Sequence, residues 1–350
     1  MKVLYLFTSY RGAVLERARR GEDHGNGFWG MLSLPRFGVE AEHLELEQYL
    51  PLWLVKFTRR MLDVYWIHLP LYLKFFSYDI VFTSTAFGTQ LVHTLLGVRH
   101  PKWVMHDFSI TGLLGEGKTW KQKMFRYITS RSAGIVTLSV KEKEKLEALF
   151  PHLRGRIEFI PFGVNLDFFT PQQVPEERQI LAPGFDPDRD WKTLFEACKG
   201  LEVPVIAATR PARVEKLQPL PEFVEITQFS SRGLVDAYAR AMVVAIPLDT
   251  STGVNDAMGC STLFEAMAMG KAIVATHTHT IASYITHGEN GLLVEEGNVK
   301  AMHAALKQVL ADETLRKKLG QNARTYATLH LDMHVLAGRL AEFFKKIQTM

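Results

Sequence analysis

GCSTLFEAMAMGKAIVATHTHTIASYITHGENGLLVEEG, residues 259–297, decides the fold. It reads as a helix start, a helix, a turn, a buried strand, a second helical stretch, a turn and a strand. Gly259-Cys260-Ser261-Thr262 is small and rich in hydrogen-bonding groups, and it opens a helix expected over Thr262–Met269 that Gly270 stops. Such a start presents backbone N–H groups and the positive end of the helix dipole, a ready anion site. Glu265 follows one turn later, placed to accept hydrogen bonds from a vicinal diol. Phosphate and ribose recognition are thus available within a few residues. The alternative is a plain structural helix with a surface glutamate.

Working outward, two runs of alternating strand and helix appear, the pattern of doubly wound parallel sheets. The first run places strands at Val3–Phe7, Ile80–Thr83, Trp103–His106, Ile135–Leu138 and Ile157–Ile160. The second places them at Gln179–Ala182, Val203–Ala207, Val224–Thr227, Val243–Pro247, Ala272–Ala275 and Leu292–Val294. A polar, proline-marked join over Phe169–Glu177 separates them. The expected division is therefore 1–172, 173–332 and a closing helical segment within 333–350.

Composition fits an ordinary globular enzyme. The chain has 350 residues, 47% hydrophobic and 22% charged, enough for two cores. Its two cysteines, Cys198 and Cys260, make a disulfide framework implausible and suit a reducing cytoplasm. The apolar run at Val3–Phe7 is too short for a signal peptide and reads as a buried strand. Net charge is +4, with basic residues gathered at Lys118, Lys121, Lys123, Arg126 and Arg131. With no recognised module beside them, these read as a solvated helix face rather than a nucleic-acid surface. The stretch Tyr49–Phe76 is apolar but broken by Pro51, Lys56, Arg59, Arg60 and Pro70, so it does not span a membrane. Two readings stand for it: a helix pair covering the first sheet and walling an acceptor pocket, or an interfacial helix giving peripheral contact with the inner face of a membrane.

The stretch Glu265-Ala266-Met267-Ala268-Met269-Gly270-Lys271, followed by Gly288-Glu289-Asn290-Gly291-Leu292-Leu293-Val294, resembles the nucleotide-sugar site of GT-B glycosyltransferases, specifically the large retaining family numbered four. Ile160-Pro161-Phe162-Gly163-Val164-Asn165, with Phe168 and Pro171, is similar to a second signature of that family. The resemblance covers most of the chain, firmly after Ile135 and loosely before it. It implies two Rossmann-like domains facing a cleft, an N-terminal acceptor domain and a C-terminal nucleotide-sugar domain. The final helix would cross back onto the first domain. The implied reaction is retaining, metal-independent transfer from a nucleotide-diphosphate sugar, UDP-linked by preference. The acceptor would be a hydroxyl of a glycan, lipid or small molecule, and no cofactor is implied.

By the same resemblance, Glu265 would hold the ribose, while the backbone at Gly259, Cys260, Ser261 and Thr262 would bind phosphate together with Arg189. Arg189 falls in the slot of a family lysine, and Phe185 fills the neighbouring arginine slot, for which Arg210 is a candidate replacement. His106, at a strand's carboxyl end, would orient the donor sugar. Asp107 would act beside it or cap the Phe108-Ser109 segment. Gly25 and Gly27 would approach the donor phosphate. Family members often carry a glutamate eight positions before Glu265; Ala257 stands there, with Asn255 and Asp256 adjacent.

Competing readings remain. Ala257 leaves open a non-catalytic sugar-nucleotide-binding protein. Gly25-Asn26-Gly27-Phe28-Trp29-Gly30 spells a dinucleotide fingerprint and so an NAD-dependent oxidoreductase, although Ser9–His24 intervene after the strand. Asp186-Pro187-Asp188 invites a metal, but a strand-to-helix turn is the simpler reading, since Trp191 and Ala197 break the EF-hand spacing. His277 and His279 share a face with no further ligand nearby, so no metal site is expected.

Overall fold

The computed structural model describes residues 1–107, 110–251 and 258–350. Its contacts form two compact units. The first comprises Met1–Arg19, Gly25–Phe162 and Met333–Met350; the second comprises Arg20–His24 and Gly163–Asp332. The expected join over Phe169–Glu177 lies inside the second unit. There Phe169 is buried, 6.2 Å from the Tyr238 ring, and its carbonyl accepts from Arg324 at 3.0 Å.

The first unit is built on six parallel strands: β1 Lys2–Leu6, β2 Glu40–His43, β3 Ile80–Thr83, β4 Lys102–His106, β5 Gly134–Thr137 and β6 Ile157–Phe159. Their order is β2-β1-β3-β4-β5-β6. β3 and β5 are buried along their whole length, as strands covered on both faces must be, which is why they read as unbroken apolar runs. β2 was not expected. Its sequence, Glu-Ala-Glu-His, offers one apolar residue, and only its edge position tolerates that.

The last helix, Met333–Thr349, packs within this first unit, as expected. It buries Leu336, Ala337, Leu340, Phe343, Phe344 and Ile347 on one stripe. Phe344 meets Phe82 of β3 at 5.3 Å. At Gly134 a Cβ would stand 2.8 Å from the tip of Ile347 and 2.9 Å from the tip of Phe343, so a larger residue there would push both side chains back from β5.

The second unit carries β7 Glu177–Pro183, β8 Val205–Ala208, β9 Val224–Thr227, β10 Ala241–Ile246, β11 Ala272–Thr276 and β12 Leu292–Val294. All pairs are parallel, in the order β12-β11-β10-β7-β8-β9. The chain winds outward from β7 through β9, returns, and winds the other way from β10 through β12. The direction reverses between β7 and β10, and the carboxyl ends at such a reversal are where open parallel sheets hold ligands.

The Tyr49–Phe76 region forms a helix, Leu52–Met61, and a 3-10 segment, Leu69–Ser77, rather than a helix pair. Among the described residues, no helix is long and apolar enough to cross a membrane.

Candidate active site

At the reversal point of the second sheet, the loop after β7 is tied to the loop after β10. Asp190 N–H donates to the Pro247 carbonyl at 3.2 Å, and Asp249 N–H to the Asp188 carbonyl at 2.9 Å. Thr276 of β11 fixes the second loop by accepting from Leu248 N–H at 2.9 Å. The Asp190 carboxylate caps the helix Trp191–Cys198 through Thr193 N–H at 2.9 Å. The Asp186–Asp190 segment is thus the strand-to-helix turn.

This turn folds Arg189 inward. Its side chain is 1% exposed and lies against Gly184, where a Cβ would sit 2.2 Å from Nε. Nη2 donates to the Thr262 hydroxyl at 2.9 Å, and the Asp186 carboxylate stands 3.4 Å away. Burial depresses the guanidinium from its ordinary value, opposed first by Asp186 and more weakly by Tyr238, Cys260 and Glu265. The group stays charged. Nε and Nη1 are buried without a hydrogen-bond partner.

Thr262 belongs to the helix Cys260–Ala268, which begins two residues earlier than expected. Gly259 sits ahead of it at φ 78°, pressed so close to Ile246 that a Cβ would lie 3.0 Å from its side chain. The first intrahelical bond runs from Leu263 N–H to the Gly259 carbonyl at 2.8 Å, so the N–H groups of Cys260, Ser261 and Thr262 precede the ladder. Burial pushes the Cys260 thiol up to about 12, so it is a neutral packing group. Glu265, one turn on, is 7% exposed and accepts from the Tyr238 hydroxyl at 3.0 Å. Burial, then the Glu265 charge, holds Tyr238 well above its ordinary value, so it remains a donor.

The second unit therefore brings together Arg189, Thr262, Glu265 and a helix N-terminus. Arg210 stands apart from Arg189: it is exposed and lies 5.8 Å from the Phe185 ring, on the rim of the same loop. Tyr238 escaped the sequence reading, because nothing in the helix Ser231–Arg240 marks it as a partner of a residue 27 positions later. Other residues of the decisive stretch are structural. Lys271 is buried in an ion pair with Glu176 at 2.6 Å, and Asn290 closes its turn through Thr286 N–H at 2.8 Å and the Tyr284 carbonyl at 3.0 Å.

In the first unit, His106 ends β4 but is 2% exposed, with Trp29 4.9 Å and Phe82 5.0 Å from its ring. Burial lowers its pKa to about 3, so it is neutral at physiological pH. The space beside it is about 10 Å³, enough for at most one water and too small for a sugar, and Trp29 is among the residues that close it. The Asp107 carboxylate accepts from Ile110 N–H at 2.6 Å and caps the helix Ile110–Leu114.

Gly25, at φ 68°, introduces a short 3-10 turn, Asn26–Phe28, and Gly27 makes room for Arg11, whose Nη1 would meet a Cβ at 2.8 Å. The glycines follow the helix Gly12–Arg19 rather than a strand and open no α-helix, which removes the basis of the dinucleotide reading. Phe108, Ser109, Asn255, Asp256 and Ala257 lie outside the described residues. His277 and His279 are exposed in a turn after β11.

Two parallel sheets, a reversal-point site on the second and a final helix returned to the first define a GT-B protein. Residues 213–326 match the family described as glycosyl transferases group 1. A D-inositol 3-phosphate glycosyltransferase of Jonesia denitrificans is 24% identical over 245 residues, 62% of this chain and 58% of that relative. An uncharacterised glycosyltransferase of Methanocaldococcus jannaschii is 21% identical over 71% of this chain and 70% of its own. Among solved structures, Anabaena HepE in complex with UDP-glucose superposes with a TM-score of 0.72 at 15% identity, covering 99% of this chain and 100% of that one. Sucrose-phosphate synthase of Thermosynechococcus elongatus superposes with 0.71 at 17% identity, covering 100% and 99%. The chain thus has the GT-B fold and is similar to family-four glycosyltransferases over its second half; it spans 58% of the length of the Jonesia relative.

Proposed function

We propose that the protein moves a hexosyl group from a nucleotide-diphosphate sugar, UDP-linked by preference, to an acceptor hydroxyl of a glycan, lipid or small molecule, with retention and without a divalent ion. The observation that carries this is the buried Arg189, with two donor nitrogens unused, beside the N-terminus of the helix Cys260–Ala268. Both are suited to a diphosphate. Glu265, oriented by Tyr238, takes the ribose hydroxyls. The acceptor oxygen forms a bond to the anomeric carbon as the bond from that carbon to the phosphate oxygen breaks. The acceptor proton passes to the departing phosphate on the same face. Arg189 and the helix dipole stabilise the charge that collects there, the task a metal performs elsewhere. His106 orients the sugar once Trp29 has moved. Calorimetry with UDP-, GDP- and ADP-sugars tests the donor, and turnover with EDTA tests the metal. Activity that vanishes in EDTA and returns with manganese refutes the metal-independent reading.

Peripheral contact with an anionic membrane is part of the proposal. Trp53, Lys56, Phe57 and Arg60 share one face of the helix Leu52–Met61, with Trp53 71% and Phe57 56% exposed. Val55 and Thr58 are buried on the other face, where Arg59 donates to the Thr8 carbonyl at 2.7 Å.

A further inference from the structure

The first unit holds a second polar cavity, of about 410 Å³, at the opposite edge of its sheet from His106. Lys102 and Trp103, which open β4, line it, whereas His106 closes that strand, roughly 13 Å away along the chain. Arg99, Arg131 and Arg156 also line it, and no aspartate or glutamate does. Among the described residues none of these three arginines forms an ion pair with a carboxylate. Lys102 is otherwise occupied: Nζ donates to the carbonyls of Ile347 and Gln348, at 2.9 and 2.8 Å, where the last helix ends.

The wall of this cavity carries a feature that packing alone does not explain. Gln90, on the helix Phe87–Leu95, is 1% exposed, and neither its amide nitrogen nor its amide oxygen has a partner. The Trp103 indole N–H, also in the wall, is likewise buried and unmatched. Leaving such groups unsatisfied is costly, and a leucine would fill the same volume without the penalty. A neighbouring histidine adds no charge: burial lowers His93 to about 4, and its ring nitrogen meets the Tyr72 hydroxyl at 3.0 Å.

We infer that this cavity binds a hydroxylated phosphate ester. Three arginines supply the charge that fixes the phosphate. The amide N–H of Gln90 and the indole N–H of Trp103, closed to solvent as they stand, donate to its oxygens once the Gln90 side chain turns toward the cavity. The Gln90 oxygen accepts only from a donor, so it requires a hydroxyl on the ligand's carbon skeleton. The cavity stands at the amino ends of the first sheet's strands, the reverse of the carboxyl edge that carries His106 and where such sheets hold their ligands.

The test is calorimetric titration of the full chain with glycerol 3-phosphate at constant ionic strength, and co-sedimentation with phosphatidylglycerol vesicles. Saturable binding of the soluble ester identifies a free polyol phosphate; a vesicle-bound fraction that depends on Gln90 identifies a lipid headgroup. In either arm Gln90→Leu weakens binding about tenfold or more, yet its melting temperature equals or exceeds that of the wild type. Arg131→Gln and Arg156→Gln, at exposed and half-buried positions that pose no folding risk, each weaken it about tenfold. UDP affinity stays unchanged in all three variants. No binding in either arm, or binding equal in the wild type and the three variants, overturns the assignment.

Discussion

Replacing Arg189 by methionine separates a binding role from a structural one, because the two predict opposite signs. The guanidinium is buried, with Nε and Nη1 unmatched, one hydrogen bond to Thr262 and one carboxylate at 3.4 Å. Methionine keeps most of the volume and removes two unsatisfied donors, each costing about 1–3 kcal/mol. Against that gain stands the loss of the Thr262 bond and the Asp186 pairing, together roughly 2–4 kcal/mol. Asp186 is 36% exposed and can turn to water, and Thr262 can still donate to the Pro183 carbonyl at 3.3 Å. The free protein should therefore stay within about 2 kcal/mol of the wild type, and on the stable side if the unmatched donors dominate.

Donor affinity should move the other way. Two charge-assisted hydrogen bonds to a diphosphate are worth roughly 3–5 kcal/mol, a loss of about 100- to 4000-fold. Calorimetry with UDP measures the affinity, and urea midpoints measure the stability. A variant that unfolds easily but binds UDP like the wild type would show that Arg189 is only a clip between β7 and the helix Cys260–Ala268.

Three further perturbations probe neighbouring links. Glu265→Gln should weaken uridine and UDP alike by about 1–3 kcal/mol while leaving pyrophosphate affinity unreduced; equal loss for pyrophosphate means that Glu265 acts through Arg189. His106→Ala should lower turnover about 100-fold with little change in donor affinity, and wild-type turnover removes it from the reaction. The double variant Trp53→Ser with Phe57→Ser should release the protein from phosphatidylglycerol vesicles at low salt, and unchanged sedimentation discards the membrane contact. Finally, His68 and His93 are lowered to about 4 and His106 to about 3, chiefly by burial, against an ordinary 6.5. The unfolded chain takes up these protons first as pH falls, so stability is full above about 6.5 and declines toward pH 4. Urea midpoints should fall over that window, less steeply in His68→Gln, and a flat profile contradicts the buried neutral state.

What the sequence made legible follows from how each element is buried. Strands covered on both faces, such as β3, β5 and β11, announce themselves as apolar runs, and alternation with helices marks both sheets as parallel. β2 does not, since Glu40 and Glu42 face outward at an edge. Within the site, Glu265 and the helix start were readable because they sit in one short stretch. Tyr238 was not, because its hydrogen bond crosses from another helix and depends on the sheet that brings both to one place. His106 was located correctly on its strand end. Its setting was not legible, because the ring that covers it belongs to Trp29, held at φ 50° by a loop far away in sequence.

The substitution at the arginine slot also acquires a physical account. Phe185 is 48% exposed and reaches outward under Arg210, so the loop after β7 offers no inward cation at its start. Its charge enters from the far end of the turn instead, where Arg189 folds back over Gly184. The approach works only because residue 184 has no Cβ, and because the loop after β10 holds the turn by Asp188 and Asp190. Fixed on both sides, the guanidinium loses little conformational freedom when an anion arrives, and its desolvation has already been met on folding. In the proposed donor site, a single arginine placed in this way, beside the N-terminus of the helix Cys260–Ala268, would meet a diphosphate with little further ordering. The unmatched N–H groups are the cost of that readiness, located where the strand order of the sheet reverses.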